Sequence, residues 1–248
     1  MRNNSNPGEG GNFPSTRWSL VLAARSGDPA VRGQALEVLI AAYWKPVYKY
    51  IRLRWEKDSE EAKDLTQEFF FRLLEKDILD RYDPQRGRLR TFLRVCVDRL
   101  IANEEKAARR LKRGGQLHLL ALDFESAEGE LRRTEIPSPE RMEDFFEREW
   151  VRSVFSLSLE LLRKECEQRG KQIPFQLLEL YDIEEGGKEL TYEQAARRFG
   201  LKTTEVTNYL AYARREFRRI VLEQLKEMTG SEEEFRRETK ILLGVDVR

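Results

Sequence analysis

Histidine is almost missing from this chain, and its scarcity excludes more chemistry than any other feature of the composition. The single His118 among 248 residues cannot supply the two Glu-x-x-His pairs of a carboxylate-bridged dimetal bundle. It also leaves no Ser-His or Cys-His pairing to argue for nucleophilic catalysis. Cysteine is nearly as rare. Cys96 and Cys166 each sit in an apolar helical pattern with no Cys-x-x-Cys spacing, so neither a disulfide framework nor a zinc site is suggested. No apolar run approaches the ~20 residues a membrane span needs, and the start of the chain lacks the apolar core of a signal peptide. A glycine-rich phosphate-binding loop is missing too. The expectation is a cytoplasmic, reduced protein that is not an enzyme, holds no metal or cofactor and has no membrane partner.

What is present is charge. Charged residues make up 36 % and aromatics 10 % of the chain, which suits soluble, helix-rich modules rather than disorder. The length leaves room for one large or two small domains. Net charge is only +1, but that neutrality averages unlike segments. Residues 1 to 15 form a Gly/Asn-rich tail expected to be disordered. Asp28-Pro29 opens a helix with Leu36, Leu39, Ile40 and Tyr43 on its core face, and Pro46 is expected to break it and start a second.

The organising stretch runs from Asp64 to Leu74, inside a helix capped by Asp58 with Glu61 three residues on. At about 100° per residue, Ala62, Leu65, Phe69 and Leu73 share a face that must be buried. Asp64, Gln67, Glu68 and Phe71 fall opposite. A solvated face has no use for Phe71, so this side looks built for a partner, although a single stray aromatic on an ordinary amphipathic helix is the plain alternative.

A turn-rich loop, Tyr82 to Gly87, follows, and then a helix from Arg88 to about Arg113 with Leu89, Phe92, Leu93, Cys96, Val97 and Leu100 as its core face. Between Arg86 and Arg113 stand ten cations (Arg86, Arg88, Arg90, Arg94, Arg99, Lys106, Arg109, Arg110, Lys112 and Arg113) against three acids, Asp98, Glu104 and Glu105. That imbalance is an electrostatic footprint for a polyanion, with a merely solvated basic face as the alternative. Gly114 to Glu140, with Asp123, Glu125, Glu128 and Glu130, reads as an acidic linker, and helical patterns resume at Arg141 and again from Pro174 to Tyr181. Thr191 and Gln194 make a capping box. The spacing of Ala196, Gly200, Val206 and Leu210 is that of a helix-turn-helix, or of any tight helical hairpin. Arg214, Arg215, Arg218 and Arg219 just beyond it shift the weight toward DNA. Ser231 caps a last helix, expected to fold back on the preceding domain.

This ordered set (amphipathic helix, turn-rich loop, basic helix, linker and helix-turn-helix) resembles the two-domain extracytoplasmic-function sigma factors of bacterial RNA polymerase, in the sigma-70 family. The segments Thr16 to Leu20, Ala42 to Pro46 and Ser231 to Leu243 resemble one subgroup with these extra elements. The resemblance covers roughly residues 16 to 243. It implies an all-α fold of two small helical domains joined by a linker. Residues 16–113 would be a region 2-like bundle, 114–140 the linker, 141–230 a region 4-like helix-turn-helix domain, and 231–248 a C-terminal helix. It also implies a cytoplasmic protein, nucleoid-associated in holoenzyme, whose partners are core polymerase and promoter DNA, with an anti-sigma protein as a further candidate.

Carried over residue by residue, Asp64, Gln67, Glu68 and Phe71 would dock on the clamp helices of the largest polymerase subunit. Tyr82, Asp83, Arg86, Arg88, Arg90, Arg94 and Arg99 would engage the −10 element as it melts, where a basic groove and pockets for unstacked bases are needed. Thr203, Thr204, Glu205, Thr207, Asn208, Tyr209, Arg214 and Arg215 would serve the −35 duplex. Here the sequence departs from the family, whose recognition helices usually carry basic residues where this one has Thr207, Tyr209 and Tyr212. Backbone charge must come from Arg197, Lys202, Arg214 and Arg215. A stand-alone helix-turn-helix regulator is the alternative, but it leaves the Asp64 face without a task.

Overall fold

In the computed structural model, residues 19–75, 78–108, 121–184 and 190–244 are described. Their regular structure is all helical, with no strand among them. The order is α1 (Ser19–Ala24), α2 (Pro29–Arg54), α3 (Ser59–Glu75), a 3-10 turn (Leu79–Arg81), α4 (Leu89–Ala108), α5 (Phe124–Leu131) and a 3-10 turn (Pro139–Arg141). Then come α6 (Met142–Gln168), α7 (Gln172–Leu178) with a π turn (Glu179–Ile183), α8 (Tyr192–Phe199), α9 (Thr203–Met228) and α10 (Glu232–Leu243). The 1–15 tail, Thr16 to Trp18, Arg109, Arg110, Lys112, Arg113 and His118 lie outside the described residues.

Helix α2 starts as its cap chemistry dictates, with the Asp28 carboxylate accepting from the Ala30 amide at 2.9 Å and Pro29 at the first helical position. It does not stop at Pro46, which was expected to break it. Pro46 lies inside one continuous helix to Arg54, buried in line with Tyr43, Val47, Tyr50 and Ile51. A proline in a helix interior costs roughly 3 kcal/mol. Burying two such side chains fully returns as much or more, at about 1.5–3 kcal/mol each.

The main core gathers residues from the whole length of the chain. Leu39, Tyr43 and Val47 of α2, Phe69 and Phe70 of α3, and Leu93 and Val97 of α4 meet Phe145, Phe146, Trp150 and Val154 of α6 and Leu225 and Met228 of α9. A second cluster holds the helix-turn-helix, through Leu177, Ala195, Ala196, Val206 and Leu210. A third lies between them, where Leu162 and Cys166 of α6 meet Ala213 and Ile220 of α9. Two long helices, α6 and α9, therefore run through successive cores and carry the helix-turn-helix on a helical stem.

Residues 121–140, expected as an open linker, are instead built into this body. The Asp123 carboxylate caps α5 at the Ser126 amide, 3.0 Å away, and Phe124 and Ala127 are buried against α2. Glu128 accepts from Tyr48 and Arg52, both at 2.6 Å, and Glu130 bridges Lys45 at 2.6 Å and Lys49 at 2.5 Å. The hydrogen bond from Arg52 holds the Glu128 carboxyl below its usual range. Burial and the bond to Glu128 push the Tyr48 phenol up to about 12. The linker acids thus lie on α2, not on α4. Eight residues are too few to show a helical period, so α5 left no sequence signature beyond Phe124, Ala127 and Leu131.

Helix α10 was expected to pack on the helix-turn-helix domain. It packs beside the C-terminal end of α9 and reaches α4 of the first half, where Phe235 joins the main core.

Candidate nucleic-acid interface

The loop between α3 and α4 is pinned from below. The Arg25 guanidinium donates to the Leu79 carbonyl at 3.0 Å and to the Tyr82 carbonyl at 2.7 Å, and the Asp83 carboxylate accepts from the Gln85 amide at 3.0 Å in an Asx turn. The loop, the end of α3 and one face of α4 enclose a groove of about 1180 Å³. Arg72, Arg81, Arg86, Arg88 and Arg99 line it against only Asp80 and Asp83, with Phe69, Ile78, Tyr82, Phe92, Val95 and Cys96 between them. Arginines with interleaved apolar and aromatic walls are what a single strand needs: cations for the backbone, π faces for the bases.

Within the groove, Arg81, Arg86 and Arg99 are exposed. Arg81 and Arg99 enter no ion pair among the described residues, and Arg86 pairs only with Asp83, at 3.4 Å. Burial pushes the Cys96 thiol up, while both Arg99 and Arg81 pull it down, so the two guanidinium groups converge on the same wall. Phe92 stacks beside Tyr82, ring centres 5.4 Å apart. Arg72, Arg81, Phe92 and Asn103 were not singled out from sequence as contact residues. The periodicity contained part of the signal, because Arg88, Phe92, Val95, Arg99 and Asn103 follow a spacing of three and four along α4.

Other residues expected at the −10 element are spoken for. Tyr82 is only 4 % exposed, and burial, with the nearby Glu234 carboxylate, pushes its phenol above its ordinary range. Arg90 is 3 % exposed and does not face the groove. Its guanidinium lies 4.4 Å from the Trp150 ring and pairs with Glu147 at 2.5 Å and Glu238 at 3.0 Å. Burial works to lower its pKa, but hydrogen bonds to the two carboxylates hold it raised. Arg94 pairs with Glu143 at 2.5 Å and Asp98 at 3.4 Å. Arg88 is half-buried and shared between the groove and Glu147 at 3.3 Å and Glu238 at 3.4 Å. The reason is position on the helix: Arg90 shares its face with the fully buried Val97 and Ile101, so it belongs to the core arc of α4.

The Asp64 face is narrower than expected. Asp64 is exposed and Glu68 and Phe71 are half-exposed, but Gln67 is 5 % exposed and buried. Thr66 and Phe70 are buried beside Ala62, Phe69 and Leu73, so the buried arc of α3 extends round to Gln67. Glu68 is ion-paired with Arg72, which also pairs with Glu104 at 2.6 Å and lines the groove. The docking strip and the groove therefore share one arginine.

The helix-turn-helix forms as its sequence requires. Thr191 and Gln194 cap each other reciprocally, with bonds of 2.8 and 3.2 Å, and Gly200 takes the left-handed turn at φ 66°. Ala196, Val206 and Leu210 are buried at the crossing. Thr203, Thr204, Thr207 and Asn208 are exposed on the first turns of α9. Glu205 accepts from the Lys202 amide at 2.7 Å and serves as a cap. Tyr209 packs against the helix-turn-helix core. Arg214 forms a bidentate pair with Asp182, at 2.7 and 2.8 Å, and Arg215 lies 5.5 Å from the Tyr212 ring. The exposed cations nearest the turn are Arg197, Arg198 and Lys202.

Among the described residues no helix is long and apolar enough to cross a membrane, and no cluster of His, Cys, Asp or Glu is arranged to hold a metal ion. Comparison with known families matches residues 39–113 to the family model described as sigma-70 region 2. Searches of curated proteins and of solved structures find no match. The matched span begins within α2 and contains the Asp64 strip, the pinned loop and the basic face of α4. The chain thus carries a sigma-70 region 2, which supports its place in the sigma-70 family and a role in transcription initiation.

Proposed function

We propose that this chain is a sigma factor of the extracytoplasmic-function type. It docks on core RNA polymerase through Asp64, Glu68 and Phe71 of α3, opens the −10 element in the arginine-lined groove, and reads the −35 duplex with the first turns of α9. The observation that carries this reading is the adjacency of strip and groove within residues 39–113: Arg72 reaches Glu68 on one side and the groove on the other. A stand-alone regulator has no need of such a strip.

In the groove the roles divide by exposure. Arg81, Arg86 and Arg99 neutralise backbone phosphates of the displaced strand, and Phe92 offers an aromatic surface for an unstacked base. Tyr82 and Arg88 form the remaining wall. On α9, Thr204, Thr207 and Asn208 present donors and acceptors to base edges in the major groove, while Arg197, Arg198 and Lys202 position the helix on phosphates.

Permanganate reactivity of a promoter bound by the reconstituted holoenzyme tests the assignment. Arg99→Ala lowers thymine reactivity at the −10 element while leaving polymerase binding intact. Unchanged melting in this variant and in Arg81→Ala would remove the groove from the reaction.

A further inference from the structure

The groove is not fully open in this structure, because the turn after α9 and helix α10 lie over its Tyr82–Arg88 wall. Gly230 is buried against Tyr82 so closely that a Cβ at this position would stand 2.1 Å from the phenol oxygen. The Glu234 carboxylate holds that turn by accepting from the Gly230 amide at 2.8 Å. One helical turn on, Glu238 reaches Arg88 at 3.4 Å and Arg90 at 3.0 Å. A carboxylate on an arginine occupies the place that a phosphate would take.

The underside of α10 is unusual for a permanent joint. Its buried residues are Glu234, Phe235, Glu238 and Thr239, so one aromatic ring is the only fully apolar anchor. The Thr239 hydroxyl has no hydrogen-bond partner, and Ile241 points outward, 63 % exposed. Buried ion pairs contribute little net stability compared with apolar packing, whereas they exchange readily for another anion of matching geometry.

We propose that the Thr229–Ser231 turn and α10 form a displaceable cover of the groove, with Glu238 holding Arg88 in the place of a backbone phosphate until single-stranded DNA exchanges with it. Only the uncovered fraction of molecules presents Tyr82 and Arg88, so the free chain binds a single strand more weakly than the groove itself allows. The proposal rests on the groove reading above, and its test separates the two.

Full-length wild type, Gly230→Leu and Glu238→Gln are titrated against a short fluorescein-labelled oligothymidylate, and hydrogen exchange of residues 230–243 is followed with and without it. The cover predicts about tenfold tighter binding in both variants. In the wild type it predicts faster exchange of the α10 amides once the oligonucleotide is bound. Arg99→Ala, placed in either variant, removes the gain because it acts in the groove rather than the cover. Equal affinity in variants whose α10 exchanges faster overturns the cover and leaves the groove standing. Unchanged or slower α10 exchange in the oligonucleotide-bound wild type overturns it as well, whatever the variants do. Binding that is insensitive to Arg99 in every background removes the groove reading and the cover together.

Discussion

Arg90→Ala separates a groove arginine from a core arginine. The substitution removes a guanidinium that is 3 % exposed and leaves Glu238, itself 1 % exposed, without its shorter arginine contact. Breaking a buried pair by deleting one partner costs about 3–5 kcal/mol, because the remaining charge stays desolvated. Loss of the contact with the Trp150 ring, 4.4 Å away, adds up to ~2 kcal/mol where the cation is desolvated. The two losses overlap, since the same group moves, and about 4 kcal/mol is expected for the whole. At ~2–4 °C per kcal/mol for a chain of this size, the midpoint falls by roughly 10 °C. Urea titration followed by circular dichroism measures the cost, with Arg99→Ala as the exposed control expected within about 0.5 kcal/mol of wild type. The paired change Arg90→Met with Glu238→Leu recovers most of the loss, because apolar replacement of both partners is often neutral. A cost for Arg90→Ala below about 1 kcal/mol, together with a loss of DNA binding equal to that of Arg99→Ala, would refute the burial argument and return Arg90 to the groove.

Three further outcomes follow from the same geometry. Asp64→Lys combined with Phe71→Ala abolishes competition for core polymerase while leaving the helical spectrum unchanged, because a reversed charge adds repulsion to the lost contact; normal competition by the folded variant would defeat the docking strip. Asn208→Ala relaxes upstream sequence preference by ~1–3 kcal/mol at one base pair, read by binding of holoenzyme to a set of point-substituted promoters, and unchanged preference would remove Asn208 from readout. The seat of α5 is acid-sensitive: the hydrogen bond from Arg52 holds the Glu128 carboxyl below 4.5, so its stabilisation is complete above that value and is lost as the pH falls toward the lowered folded-state pKa. Hydrogen exchange of residues 124–131 accelerates on acidification in the wild type, and in Glu128→Gln it is already fast at neutral pH. Equal pH dependence of the two would show that the Glu128 pairs do not hold the helix.

Local periodicity made the helices legible, and long-range pairing hid the rest. Ala62, Phe69 and Leu73 are buried as their spacing required, and the capping box at Thr191 and the left-handed Gly200 stand where the sequence puts them. The assignment of Arg90 to DNA came from charge counting alone; the helical wheel already placed it between Val97 and Ile101. Gln67 was misplaced for a related reason, because a face drawn from four apolar residues underestimates an arc that also buries Thr66 and Phe70. Nothing local announces that Glu143, Glu147 and Glu238 meet the arginines of α4. Acids near helix ends usually serve the solvent or the helix dipole, and their partners here lie 49 to 148 residues away along the chain. The stem of α6 and α9 was equally hidden, since each long helix contributes to more than one core.

The stem also sets a distance. From Asn208 to Met228 helix α9 rises about 30 Å, at ~1.5 Å per residue, and the turn that follows touches Tyr82. Promoter elements one and a half duplex turns apart lie ~55 Å from each other. The helix-turn-helix and the Tyr82 end of the groove are therefore closer in this structure than such a promoter allows, and holoenzyme assembly must move them apart.

In vitro transcription with bacterial core polymerase, followed by sequencing of the transcript 5′ ends, tests the central claim most directly. The account predicts transcripts from a small set of discrete starts that depend on this chain, fall sharply with Arg99→Ala, and vanish with the combined Asp64→Lys and Phe71→Ala variant. Failure of the folded wild-type protein to bind core and direct any defined start would contradict it.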